Sequence, residues 1–546
     1  MKIALSALHF GLFRNFESVV VELATRGHDV VLLADEHDNL GGETLADTLV
    51  ARHPRIRRMF APSCAEEPWF RFAQRLRSTL VYLRFLDPRY DRFPKLKTRA
   101  AGRAPRGLRA LLAVPGVNSR AGRHAVSRAL NALDAALPRN AAMDQWLAVE
   151  RPDVLLLAST TMPRAPQLDH LRSARAAGIP TIACVYSWDH LSSKGLIRIV
   201  PDRVLVWNDT QKQEAIDMHG LPAERIVVTG AQVYDQWFGR RPSRSPSAFA
   251  RDAGLPTGRP FLMYVCSALT PEPGESTFVR QWIKAIRGSG SPDLRDVAFL
   301  IRPHPERREG WENRDWQDLG DVVVTSTSQT GEAAKADYFD ALHYSSAVVG
   351  LVTSSFLEAA IAGRPVLTVT PPEMRVHQEG MLHFRYLLEV EDGLLTVART
   401  LVEHVRQLEA AVRGGSAYQE RQQRFLKAFV RPFGLERPAT PLFVESVEAV
   451  ARLRPEPEPD SRPHWQRALA RHVVGLSHHP LLRAAMLDER EAAEVCARNR
   501  RVRAHRKASR RGRRRARAKS LITGVYARIR RLTLTPSNGS GTGETS

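Results

Sequence analysis

Cysteine is scarce in this chain: Cys64, Cys184, Cys266 and Cys496 are the only four in 546 residues, and no two form a CxxC pair. That spacing argues against a zinc knuckle and against a disulfide framework, and four isolated thiols fit a reducing cytosol. Long apolar runs are also missing, because charges interrupt every stretch before it reaches the roughly 20 residues that span a bilayer. No GxxxxGK[ST] loop, HExxH or GxSxG occurs, which removes the usual signatures of P-loop, zincin and α/β-hydrolase chemistry. The opening MKIALSALHFGLFRNF has no small-residue cleavage site and continues into a strand–helix–strand pattern, so it is not expected to be a secretory signal.

Acidic charge is in deficit, with 58 Asp and Glu against 80 Lys and Arg and a formal net charge of +22. The surplus is local. Residues 461–546 hold 21 basic and 5 acidic side chains, whereas the first 460 residues are only mildly basic. A chain of this length with 43% hydrophobic residues can bury two ordinary cores.

Short Val/Ile/Leu-rich runs recur at residues 2–8, 28–35, 152–159, 180–187, 203–208 and 225–230, with helical patterns between several of them. Continuous apolar runs of this kind read as strands buried on both faces of a parallel sheet. Residues 65–145 interrupt the rhythm with a basic, aromatic, mostly helical insertion that contains WFRFAQRLRSTLVYLRFL. Residues 241–259, rich in Pro, Ser and Gly, read as a linker. A second series then begins at 260–267, 297–304, 322–327, 347–353 and 365–370, and closes in helices near 394–412 and 443–453. The expected division is a first doubly wound domain over 1–240, a second over 260–455, and a helical, arginine-rich extension over 456–546. Two such α/β domains place a ligand cleft between facing strand ends.

Four stretches carry chemistry. In LVTSSFLEAAIAGRPVL, a strand runs into Thr353, Ser354 and Ser355, with Glu358 one turn into the next helix. Ser355 and Glu358 have capping-box spacing, which explains them structurally. The same junction would also suit a phosphate, with a nearby carboxylate for ribose hydroxyls. Gly363 and Pro365 are helix-stop residues. In LIRPHPER, Arg302 and His304 emerge at a strand end stiffened by Pro303 and Pro305, suited to neutralising a diphosphate or to a simple loop. In CVYSWDHLSSKG, Asp189 beside His190 at a strand end can position and activate a hydroxyl. In LHFGLFRNFE, His9 follows the first strand, Gly11 permits a close turn, and Arg14 can meet phosphate or pair with Glu17. Gly230 offers a tight turn near the cleft, followed by Gln232 and Asp235 at the domain crossing.

RPHP followed some fifty residues later by S-S-x-L-E-A-x-x-x-G-x-P resembles the C-terminal domain of GT-B-fold transferases. The nearest relatives by this likeness are CDP-glycerol glycerophosphotransferases, UDP-N-acetylglucosamine 2-epimerases and bacterial surface-polysaccharide glycosyltransferases. It covers roughly residues 1–450 and is strongest over 200–370. The resemblance implies two Rossmann-like domains around a central cleft. The second would hold a nucleotide-activated sugar or CDP-polyol as substrate, with Glu358 on the ribose and Arg302, His304, Thr353, Ser354 and Ser355 near the diphosphate. It also implies an acceptor hydroxyl, on a glycan or lipid-linked molecule, held by the first domain. His9 matches the position of the general base in some inverting members, and Asp189 and His190 are the other candidates. No cofactor is implied, and the lack of a DxD motif agrees with metal-independent transfer. A 2-epimerase on the same fold and a non-catalytic polyanion-binding protein are the competing readings.

The tail at 497–534 has three readings: a solvated segment, a non-specific nucleic-acid binder without a recognition fold, or a membrane-surface anchor. Leu521, Ile522, Val525, Ile529 and Leu532 recur at helical spacing among arginines, as in a basic helix lying on an anionic bilayer. The aromatic insertion at 69–86 could add to that contact. The expected location is the cytoplasm, with peripheral attachment to the inner membrane face.

Overall fold

A computed structural model describes residues 1–36, 41–158, 160–267, 274–304, 311, 315–325, 331–372, 375, 378–414, 416–458, 463–498, 500, 522–525 and 527–528. Its strands form two wholly parallel sheets. The first has the order β3-β2-β1-β4-β5-β6-β7, from β1 (Lys2–His9), β2 (Asp29–Glu36), β3 (Ile56–Phe60), β4 (Val154–Leu157), β5 (Thr181–Cys184), β6 (Arg203–Val206) and β7 (Ile226–Val228). The second has the order β10-β9-β8-β11-β12-β13, from β8 (Phe261–Val265), β9 (Ala298–Arg302), β10 (Val322–Val324), β11 (Ala347–Gly350), β12 (Val366–Val369) and β13 (Thr396–Ala398). Every residue of β4, β5, β8, β11 and β12 is buried, which is why these segments are apolar throughout rather than alternating. The fold is therefore the expected pair of doubly wound α/β domains.

In each sheet the chain reverses its direction of winding beside the first strand, between β1 and β4 and between β8 and β11. The registers Leu5↔Leu156 and Val265↔Gly350 align the strand ends that flank those reversals. Ligands of open parallel sheets bind in the crevice outside the carboxyl ends of strands at such a point. An apolar cluster joins the two domains, running from Trp188, Trp207 and Tyr234 to Phe356, Phe384 and Phe429.

The insertion between β3 and β4 is helical, and the buried Arg77 ties it down. From the helix Pro68–Arg84 its guanidinium reaches Asp169 of the first domain through two 2.6 Å bonds and Asp134 through one of 3.0 Å. Trp69, Phe70 and Phe72 are buried in the insertion's own core, which includes Ala470 and Val474 of the helix His464–Ser477. Those rings are therefore not available to a membrane, because the hydrophobic effect has already used their surface.

Two boundaries differ from the sequence expectation. Within the expected linker, Pro246–Ala253 is a helix capped by Ser245, its Phe249 stacked on Phe261 and packed in the apolar cluster. The helix Ala439–Ala451, expected to close the second domain, crosses back to the first, where Phe443, Val444 and Val447 pack with Phe16 and Val19. Asp235 accepts bonds from the Ala439 and Thr440 amides at the start of that helix and from Arg431 at 2.7 Å. The residue singled out near the domain crossing thus serves as helix cap and ion-pair partner. Gly230, at φ +86°, is needed here as well: a Cβ would stand 2.8 Å from that of Ala439.

Candidate active-site crevice

The second domain's side of the crevice is built from β9, β11 and the helix that precedes β11. Arg302, the last residue of β9, pairs with Asp337 at 3.2 Å and lies 4.9 Å over the Tyr338 ring. Tyr338 sits on the helix Glu332–Tyr344 and donates its hydroxyl hydrogen to Glu358 Oε2 at 2.7 Å. Burial pushes the Glu358 carboxyl above the usual carboxylate range, against the opposing pull of Tyr338, Arg14, Ser355 and Arg302. The charges of Arg302 and of Arg14, which comes from the other domain, thus both act on Glu358.

The capping-box geometry does not form. The helix Ser355–Ile361 is capped at Ser354, which is exposed and makes no side-chain cap bond, while Ser355 donates its amide hydrogen to Thr353 Oγ1 at 3.3 Å. Glu358 is engaged by Tyr338 instead of a backbone amide. The helix stop does follow expectation: Gly363, at φ +74°, and Arg364 close the last turn on the Ala360 and Ala359 carbonyls. His304 follows β9 directly, half-buried, two residues beyond Arg302.

On the first domain's side, Gly11 and Arg14 lie in the short turn Phe10–Asn15 that follows β1 and the half-buried His9. Gly11 is buried there, without the left-handed φ of the turn glycines. Glu17 does not pair with Arg14; it takes Lys335 of the second domain at 2.6 Å. Arg14 is exposed and makes no hydrogen bond or ion pair among the described residues, yet its charge favours the ionised forms of both Tyr186 and Glu358. Beside it opens a pocket of about 230 Å³ bounded by Arg14, Glu17, Gln232, Arg240 and Lys335. Gln232 donates to the Asn15 carbonyl at 3.2 Å, and its buried Oε1 has no partner among the described residues.

The segment after β5 carries Asp189 and His190, the latter opening the short helix His190–Ser193. Burial opposes ionisation of Asp189, but Lys194 at 3.2 Å, His383 and the Ser187 and Ser193 hydroxyls outweigh it and hold the carboxyl far below its ordinary value. Such a carboxylate is a weak base and a strong anchor. Burial lowers His190 to about 3; its ring lies 4.5 Å from that of Tyr186, and the Tyr186 amide donates to its Nδ1. Tyr234 is buried between the two sides, and its hydroxyl proton is held first by burial and then by the charges of Glu358 and Asp189. The charges of Glu358 from the second domain and Asp189 from the first therefore both act on Tyr234.

One residue here carried no motif. Glu214, on the helix Asp209–Asp217, accepts a hydrogen bond from Tyr386 of the second domain at 2.5 Å, and burial raises its carboxyl to about 7. Asp189 is among the charges that act on it. His383, 4.6 Å from Trp188 and lowered to about 4 by burial, completes this wall. The only sequence signal for Glu214 was a carboxylate on the inward face of an otherwise ordinary helix.

No protein-family model matches the chain, and no curated relative matches it by sequence. Among solved structures it is similar to a glycosyltransferase from Rickettsia africae, at 10% identity and TM-score 0.49 over 83% of this chain and 98% of that one. It is also similar to the UDP-GlcNAc 2-epimerase from Neisseria meningitidis bound to UDP-GlcNAc, at 12% identity and TM-score 0.46 over 82% and 100%. A third is WaaG, a glycosyltransferase involved in lipopolysaccharide biosynthesis, at 12% identity and TM-score 0.43 over 83% and 100%.

Proposed function

We propose that this protein is a transferase that moves a glycosyl or polyol-phosphate unit from a nucleotide-activated donor to an acceptor hydroxyl, in the synthesis of bacterial cell-surface glycan. One observation supports it above the others. Tyr338 bonds Glu358 within the second domain, and the charges of Arg302 and of Arg14 from the first domain both act on that carboxyl, so that a ligand bound there would meet cations from both domains.

In this reading Glu358, held by Tyr338, accepts hydrogen bonds from the ribose hydroxyls. Arg302, His304 and Arg14 neutralise the diphosphate, which leaves with the nucleotide. Fixed cations in a site shielded from water stabilise that developing charge without reorganising, and metal-independent transfer is part of the proposal. The acceptor lies on the side of Asp189 and Tyr186. Asp189 is too acidic to take its proton and orients the hydroxyl instead. The base is then His9, at the end of β1, because His190 stays neutral only by being buried.

The test is thermal-shift screening with UDP-, GDP-, CMP- and CDP-linked compounds, since a ligand that binds the native state alone raises stability with its concentration over Kd. One nucleotide class should shift the melting temperature, and the shift should vanish in Glu358→Ala. A flat response to all four classes would refute the reading. Turnover of the responding donor without any acceptor would favour the 2-epimerase instead.

A further inference from the structure

Between the insertion and the rest of the first domain lies a groove of about 1810 Å³, and no part of the proposed transfer uses it. Its walls are the helix Arg120–Ala136 with the end of Pro68–Arg84 on one side, and the helix Gln167–Ala176 with residues 196–199 and 217–220 on the other.

The lining is strongly basic, and most of its carboxylates are already taken. Asp134 is shared by Arg77 at 3.0 Å and Arg198 at 3.0 Å, Asp87 holds Arg89 at 3.2 Å, and Glu458 holds Arg175. Only Asp217 stands apart, with just its carbonyl engaged, by Arg89. What remains is positive. The Arg120 and His124 side chains make no hydrogen bond or ion pair among the described residues, and that of Arg123 bonds only Asn118, at 3.4 Å, although its charge also acts on Asp87. Arg198 Nη1 is buried with no acceptor among the described residues. The floor, by contrast, is apolar, formed by Leu80, Leu83, Leu196, Ile199 and Met218.

Arginine donors without carboxylates suit a phosphate, which they bind with short, charge-assisted hydrogen bonds. An apolar floor adds nothing to a bare phosphate but would cover a hydrocarbon chain. The volume also exceeds the roughly 300–1,000 Å³ of a typical small-molecule pocket, as an extended ligand requires. We infer that this groove binds an amphiphile with a phosphate or diphosphate head, the head on Arg120, Arg123 and His124 and the chain along the Leu196–Met218 floor. The groove backs onto the Asp189 loop, since Arg84 donates to the Leu191 and Lys194 carbonyls and His219 bonds the Leu191 carbonyl at 2.9 Å. This inference does not depend on the transferase reading.

The experiment is calorimetric titration of the full chain with monododecyl phosphate below its micelle concentration, with dodecyl maltoside and inorganic phosphate in parallel. Arg120→Ala/Arg123→Ala is the variant, as both side chains lie outside the core. Monododecyl phosphate should bind the wild type and lose at least tenfold in affinity to the variant, with the nucleotide thermal shift unchanged. Equal affinity in the two proteins, maltoside binding as tightly, or inorganic phosphate matching the amphiphile would each overturn the proposal. Loss of the nucleotide response in the same variant would overturn the separation of the two sites.

Discussion

Tyr338 and Glu358 come from successive helices of the second domain, and the tyrosine hydroxyl donates to the carboxylate at 2.7 Å. The bond engages Glu358 from the neighbouring helix, where the charges of Arg302 and the first domain's Arg14 also act on it, rather than leaving it to cap its own helix.

Glu358→Ala should therefore weaken nucleotide-donor binding by about ten- to hundredfold, the cost of losing hydrogen bonds to a charged group, with little change in melting temperature. Tyr338→Phe should do the same more mildly. A large stability loss with normal donor affinity would return Glu358 to a structural role.

Arg14 is exposed and holds no partner among the described residues, so folding does not need it. Arg14→Ala should leave the unfolding free energy within about 0.5 kcal/mol of wild type, as surface substitutions do. Donor turnover should fall at least tenfold, measured as nucleotide release. Unchanged turnover would remove the first domain from the diphosphate site.

Asp235→Ala removes a helix cap and leaves the buried Arg431 without its carboxylate. A loss of about 3–5 kcal/mol is expected, because an unpaired buried charge costs more than the pair contributes. Chemical denaturation followed by tryptophan fluorescence would measure it. A related loss is expected for Arg77→Leu, which leaves buried Asp169 with only Arg172 at 3.7 Å and Asp134 with only Arg198 at 3.0 Å among the described residues, and should make the insertion the first site of proteolytic cutting.

Two sets of buried groups give stability opposite pH slopes. His170, His190, His219, His383 and His404 are all lowered by burial, to about 3 or 4. The unfolded chain takes up protons near pH 6.5 that the folded chain refuses, so these groups erode stability as pH falls from about 6.5 toward 4. Glu214 acts the other way. Its folded value of about 7 lies above the unfolded 4.5, so its contribution is full below about pH 4.5 and is lost as pH rises to about 7. The whole effect is about 3 kcal/mol at most. Glu214→Gln should gain stability relative to wild type between pH 5 and pH 8, read as a growing difference in melting temperature. A constant difference would show that Glu214 is ionised throughout.

The membrane reading of the tail is not addressed by the fold. Residues 497–534 lie largely outside the described residues, although Ile522 and Val525 are 60% and 55% exposed. No helix of the described residues is long and apolar enough to cross a membrane. Deleting 497–534 should release the protein from anionic vesicles without affecting donor binding.

Two parallel sheets could be read from the chain because strands buried on both faces must be apolar at every position, a pattern visible locally in PDVLLLA or FLMYV. Asp189, Arg302 and Glu358 stand out in the sequence for a related reason: each is a charged group at or soon after an apolar run. Sequence alone did not decide what those groups would face. Whether Ser355–Glu358 closed a capping box or Tyr338 took the carboxylate depended on a helix packed alongside. Whether Arg14 met Glu17 or the crevice depended on Lys335 in the other domain. The return of the helix Ala439–Ala451, the midrange proton affinity of Glu214 and the groove behind the insertion all arise between segments far apart in the chain. Local patterning sets which face of each element is apolar, but electrostatics and burial depend on neighbours that only the assembled chain supplies.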